Sequence, residues 1–273
     1  MKSGCGGKRI GLMIPCYNVE PFIGDVLRGI PDNVYDRLET LLVIDNHSED
    51  KTREIVVKMR GEMSRDRIRL LCNRRNQNLG GSYKIGFDYF IGNGFDYLIA
   101  VHGRGQGQAG EDAKNFLKII DSGASVDFIG CSRFLKGSEL SNYPALRKIG
   151  NYLVIALQRM ATGKKMSDPG TGHFCVNLKT VMTIPYRNLT SKRSFNNELQ
   201  MSLALKGAEM REVPHVWRAF SYEKAKFNIW TLGLDIAGSL AKLYLTKKGF
   251  ASFREFSTKH NLQQDKYVDY DLL

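Results

Sequence analysis

Leu98 to Gln106, LIAVHGRGQ, runs an apolar strand straight into a loop punctuated by glycines. In open α/β sheets the carboxyl end of a buried strand aims residues into a crevice, so a ligand is expected at such a loop. Where carboxylates would hold a cation, the loop instead offers His102, Gly103 and Arg104. Other segments also carry reactive groups. IPCYNV, Ile14 to Val19, is followed by VIDNHSEDKT, Val43 to Thr52. Asp45, at a strand end, can accept hydrogen bonds from a nucleobase N–H, with Pro15 and Tyr17 walling the ring. Asp45, Ser48 and Asp50 read equally as caps for a helix starting near Lys51. Gly80 and Gly81 open a helix whose N-terminus could face a phosphate, with Lys84 one turn in. The pattern is neither a P-loop nor a Rossmann fingerprint. Arg133 and Arg147 are cationic forks suited to phosphate oxygens, although arginines of a basic protein also commonly stand in solvent. The loop Ser167 to Gly172 can carry Asp168 into a cleft, and Glu198 sits at a helix start, where its charge also suits the helix dipole.

These residues need a scaffold, and the first half of the chain supplies a rhythm for one. Strands are predicted at Ile10 to Ile14, Leu41 to Asp45, Ile68 to Cys72, Tyr97 to Val101 and Phe128 to Ser132. Between them, Glu20 to Gly29, Asp50 to Met63, Gly80 to Gly92 and Glu111 to Ile120 have helical length, which predicts βαβ units and a mostly parallel sheet flanked by helices. The second half predicts a helix from Leu146 to Ala161, a strand near His173 to Asn177, a helix from Asn197 to Lys206 and a returning strand over Glu212 to Trp217. Asn228 to Lys248 reads as a helix with Ile229, Leu232, Ile236, Leu240 and Leu243 on one face.

The 273 residues are 42% apolar and 25% charged, ordinary globular composition, with no internal repeat. A net charge of +12 suits phosphate-bearing partners, from nucleotides to anionic lipid or nucleic acid. With no zinc finger, RNA-binding signature or confined basic run, nucleic acid is not expected as a partner. The five cysteines are odd in number, scattered and without metal-ligand spacing, which suits a reduced interior. No secretory signal or membrane-spanning window is expected.

In this order along roughly Ile10 to Leu245, the segments resemble the family 2 glycosyltransferases of the GT-A fold. They are most similar to the dolichyl- or polyprenyl-phosphate sugar synthase branch. The resemblance implies an α/β GT-A transferase domain over residues 1–226 and a helical C-terminal extension over 227–273. It implies a nucleoside diphosphate sugar as donor, with Pro15, Tyr17 and Asp45 at its base and Lys84, His102 and Gln106 completing the donor site. The family's metal motif, Asp-x-Asp with a Gln two residues on, falls on His102 to Gln106, and only Gln106 is retained. Mg²⁺ and Mn²⁺ prefer hard oxygen ligands and a guanidinium repels them, so neither is favoured here and no metal ligand or cofactor is assigned. Arg104, helped by Arg133, Arg147 and Lys226, is expected to neutralise the diphosphate instead.

The resemblance further implies inversion at the anomeric carbon by direct displacement. A polyprenyl phosphate acceptor is already anionic and needs no strong base, leaving Asp168 to orient sugar or acceptor. With a hydroxyl acceptor, Asp168 or Glu198 becomes the base. Phe174 stands where the family often has Arg. The competing reading is a catalytically silent GT-A protein that binds a nucleotide or a partner. The helix Ile229 to Leu245, followed by Lys247 and Lys248, could lie in a membrane interface, or equally pack on the sheet or on a second copy of the chain. A cytoplasmic protein, peripheral at the inner face of a membrane, is the expectation, and Tyr267 to Leu273 reads as a tail.

Overall fold

The computed structural model describes residues 7–63, 65–141, 143–218, 229–247 and 270–272. The predicted rhythm holds over the first half: β1 (Ile10–Cys16), α1 (Glu20–Arg28), a one-turn α2 (Asp32–Tyr35), β2 (Thr40–Asp45), α3 (Thr52–Glu62), β3 (Ile68–Asn73), α4 (Asn78–Gly92), β4 (Tyr97–Ala100), α5 (Ala109–Asp121) and β5 (Phe128–Ser132). There follow β6 (Glu139–Ser141), α6 (Ala145–Thr162), β7 (Phe174–Asn177), a short α7 (Leu178–Val181), α8 (Phe195–Leu205), β8 (Met210–Pro214), β9 (Val216–Arg218), α9 (Ile229–Lys247) and β10 (Tyr270–Leu272).

The main sheet has the order β10-β3-β2-β1-β4-β7-β5-β8. Strands β7 and β10 are antiparallel to their neighbours and every other pairing is parallel. A parallel strand is buried on both faces, which is why all of β1 is apolar and buried. Alternate residues feed two cores. Leu12, Ile14, Val43 and Ile99 pack with Ile23, Val56 and Phe116 of α1, α3 and α5. Met13, Leu42, Ile44 and Leu98 pack with Phe87 and Phe90 of α4 and with Phe195 and Leu199 of α8. The result is helix, sheet and helix in three layers, as a βαβ succession with right-handed crossovers requires.

Of the two placements left open for α9, the described part of its apolar face takes the packed one: Ile236, Leu240 and Leu243 are buried with Met201 of α8, and Val154 and Ala161 of α6 pack against them. An apolar stripe this narrow is satisfied by one neighbouring helix, and α6 provides it. Tyr270–Leu272, read as tail, is a strand paired with Leu71–Asn73 at the β3 edge. No helix among the described residues is long and apolar enough to cross a membrane. Cys16, Cys72, Cys131 and Cys175 are buried free thiols.

Candidate active site

From β1 the chain steps through β2 to β3 on one side, then returns to lay β4 on the other side of β1. That reversal leaves a crevice at the carboxyl ends of β1 and β4, where open α/β sheets bind ligands. The loops after β1, β2 and β4 all leave at this end because the three strands are parallel.

The first two loops are laced together by side chains bonding backbone. Asn18 N donates to Ser48 Oγ (3.0 Å), Glu49 N to Asn18 Oδ1 (2.9 Å), Val19 N to Thr52 Oγ1 (3.0 Å) and Glu20 N to Asp50 Oδ2 (2.9 Å). Asp50 also caps α3 through Thr52 N at 3.0 Å, so the capping reading holds for Asp50. Asp45 ends β2 fully buried, with Arg53 Nε donating to its Oδ2 at 2.5 Å and Ser48 N at 3.2 Å. Its carboxylate is thus paired with the half-exposed Arg53. Pro15 is buried within β1 and Tyr17, just past it, is exposed. Asn46 joins three elements: its Oδ1 accepts from Asn73 Nδ2 and Gln77 N, and its Nδ2 donates to Asn76 Oδ1.

The loop after β4 is held from below and above. His102 N donates to His173 Nε2 at 3.0 Å, and the His102 ring rests on the Gly172 backbone. Burial, reinforced by His173, His215, Arg104 and Arg193, pushes the His102 pKa down to about 3, so the ring is neutral. Gly107 forms a bridge with Trp217, and Arg218 N donates to Gln106 O at 2.8 Å, so β9 clamps the loop's far end. Arg104 stands exposed between these anchors. From Val101 to Gln108 there is no carboxylate, and the neutral imidazole is turned onto Gly172. This donor set does not suit Mg²⁺ or Mn²⁺.

Arg147, in the first turn of α6, lies 5.2 Å over the Tyr143 ring and 5.8 Å over Trp217, the residue that clamps the loop. Arg133 is engaged elsewhere: Nε and Nη2 donate to Asp168 at 2.6 and 2.7 Å, and Nη1 to Tyr143 Oη at 3.1 Å. Burial alone would lower the Arg133 pKa, but Asp168 outweighs it and the pKa is raised. Glu212 accepts from Ser167 N and Asp168 N, while Gln200 and Asn196 donate to the carbonyls of Pro169 and Thr171. Removing one partner of a pair buried this deeply costs about 3–5 kcal/mol. Asp168 is thus a fixed strut of its loop, with both oxygens taken by Arg133.

Glu198 is also internal. Its Oε2 accepts from Thr190 N at 2.7 Å and its Oε1 from Ser239 Oγ at 2.5 Å, tying α8 to α9. A carboxylate so occupied holds the two helices together. Lys84 is buried nearby, Nζ donating to Ser191 Oγ at 3.2 Å. Burial pulls its pKa down to about 8, with Glu198 opposing the shift. Lys226 lies outside the described residues.

Sequence reasoning passed over a buried cluster directly behind the β4 loop. Asp112 of α5 accepts from His173 Nδ1 at 2.6 Å, and His215 Nδ1 lies 3.0 Å from the same oxygen. Because His173 Nε2 accepts from His102 N, the His173 proton must sit on Nδ1. Burial would raise the Asp112 pKa, but His173 and His215 hold it well below the usual carboxylate range. Burial pushes the neighbouring Cys131 thiol well up. The available signal was that three of the five histidines, His102, His173 and His215, fall in segments already marked by other residues.

The mostly parallel sheet with a switch-point crevice at the ends of β1 and β4 has the architecture of an α/β GT-A scaffold. Residues 12–102 match the family model for glycosyl transferase family 2. The undecaprenyl-phosphate mannosyltransferase of Micrococcus luteus is 24% identical over 207 residues, covering 76% of this chain and 82% of that one. The UDP-N-acetylglucosamine–dolichyl-phosphate N-acetylglucosaminyltransferase of Methanococcus voltae is 23% identical over 251 residues, 88% and 98% of the two chains. A crystal structure of glucosyl-3-phosphoglycerate synthase from Mycobacterium tuberculosis, with Mn²⁺, UDP and glucosyl-3-phosphoglycerate, has the same fold. It matches with a TM-score of 0.60 at 14% identity, covering 90% of this chain and 82% of that one.

Proposed function

We propose that this family 2 glycosyltransferase moves a sugar from a nucleoside diphosphate sugar to a polyprenyl phosphate, with Arg104 in the place of a divalent ion. What supports the reading is the anchored loop after β4, which carries an exposed Arg104 and no carboxylate. An acceptor phosphate oxygen forms the new bond to the anomeric carbon from the face opposite the departing diphosphate. The old bond's electron pair leaves on the nucleoside diphosphate, and the anomeric configuration inverts. Arg104 offers a fork to the oxygens where that charge gathers, and the preorganised loop spares its reorganisation. Tyr17 and the Asp45–Arg53 pair border the base, while the Arg133–Asp168 pair positions the loop beside the sugar.

The acceptor class is supported by α6. Its outer face exposes Ile149, Tyr152, Leu153, Leu157 and Met160, with Ile149, Leu153 and Met160 at 66%, 62% and 80%. At about 100° per residue these lie on one stripe, with Lys148 and Arg159 along its edge. An apolar stripe edged by cations suits an anionic bilayer, and Arg147, on the same helix, sits beside the clamped loop. The enzyme would then work at a membrane surface that holds its acceptor.

The test is nucleoside diphosphate binding by calorimetry with no divalent ion added, followed by turnover on polyprenyl phosphate. Wild type should bind, and Arg104→Ala should weaken binding about ten- to a hundredfold, the worth of a charge-assisted bidentate contact. Binding that requires Mn²⁺, or that ignores Arg104→Ala, rejects the role given to Arg104. Tight binding without turnover on any acceptor would favour the silent, partner-binding reading.

A further inference from the structure

Asp112, Cys131 and His215 come from α5, β5 and the turn after β8, and each is at least nine-tenths buried. Their ligand atoms all lie within 4.8 Å of one another, with His215 Nδ1 3.0 Å from Asp112 Oδ2. Ligands of a tetrahedral Zn²⁺, with bonds of about 2.0–2.3 Å, stand about 3.3–3.8 Å apart. Side-chain adjustments of under about 1 Å would bring these three to that spacing.

A second observation points to an absent ligand. His215 Nδ1 is buried, 3.0 Å from Asp112 Oδ2, yet makes no hydrogen bond. A buried ring nitrogen without a hydrogen bond is costly, and such a group calls for an explanation. Asp112 is oriented as a ligating carboxylate would be: His173 Nδ1 donates to it, and His173 is itself fixed by His102 N. Metal-bound carboxylates are held by hydrogen bonds of this kind. Mixed oxygen, nitrogen and sulfur donors suit Zn²⁺ and do not suit Mg²⁺ or Mn²⁺.

We infer that Asp112, Cys131 and His215 bind a Zn²⁺-like transition metal ion, with a water or the second Asp112 oxygen completing the coordination. The ion sits behind the β4 loop, not in the crevice. It ties α5, β5 and the end of β8 together under Gly107, whose Cα lies against the His215 and His173 rings. Its work is structural: it sets the height at which the loop presents Arg104.

The experiment is metal analysis of the purified full chain, followed by Co²⁺ replacement. Wild type should carry about one zinc ion per chain. Co²⁺ should give a thiolate charge-transfer absorption that is lost in Cys131→Ser. Arg104→Ala should leave metal content unchanged, which separates this site from the diphosphate site. Wild type that carries no transition metal and shows no thiolate band with Co²⁺ would overturn the inference. It would leave the cluster a hydrogen-bonded one and the role of Arg104 untouched.

Discussion

Lys84 carries its ammonium into the interior between α4 and the Thr190–Ser191 turn, against the carboxylate of Glu198. Its folded pKa of about 8 lies below the ordinary 10.5. Between those values the unfolded chain holds the proton and the folded protein does not. The unfolded state therefore binds more protons, and stability should rise with pH across the window. Urea denaturation at pH values spanning it should show this rise in wild type and lose it in Lys84→Met. Equal pH dependence in both proteins would mean that the amine reaches water. The residue scale is also where sequence told least. The residue types at Asp168, Glu198 and Lys84 were visible, but their directions were not. Each is consumed by a partner 35, 41 or 107 residues away in the chain, and no local pattern reports that.

Among the elements, α4 shows why its helix opens on two glycines. A Cβ on Gly80 would meet Thr190 O at 2.5 Å and Phe195 Cβ at 2.9 Å, so the helix packs directly on the backbone that leads into α8. Gly80→Ala should cost about 1–3 kcal/mol, as overpacking does, and a thermal unfolding midpoint indistinguishable from wild type would contradict that packing. On sequence, these glycines open a helix whose N-terminus could face a phosphate. The local pattern is the same in both cases, and only the neighbouring chain distinguishes them. Elements with strong periodicity were legible: the strands from Ile10, Leu41, Ile68, Tyr97 and Phe128 all formed where apolar runs placed them. Strands β6 and β9 were not, because three residues of mixed exposure carry no period. Nor could the sequence show that β7 runs antiparallel between β4 and β5, since strand direction is set by the long return through α6.

Over the whole molecule, the excess of positive charge and the α6 stripe act together. Burying Ile149 and Leu153 in lipid would contribute about 1.5–3 kcal/mol each. The double substitution Ile149→Asp and Leu153→Asp should therefore lower retention on anionic vesicles by about a hundredfold or more. Added salt should weaken wild-type retention through Lys148 and Arg159. Unchanged retention would remove α6 as the lipid-facing surface. A shift from dimer to monomer in sedimentation would instead make a second copy its occupant. Sequence left α9 open between a membrane interface and internal packing and did not mark the exposed apolar face of α6, because two amphipathic helices packed on each other have stripes of similar width.

The strand over Tyr270–Leu272 lies antiparallel along β3. Without it the sheet would finish on β3 as a row of unpaired N–H and C=O groups, a ready template for strands of other chains. Three residues far along the sequence thus cover the Leu71–Asn73 part of that edge like a selvedge.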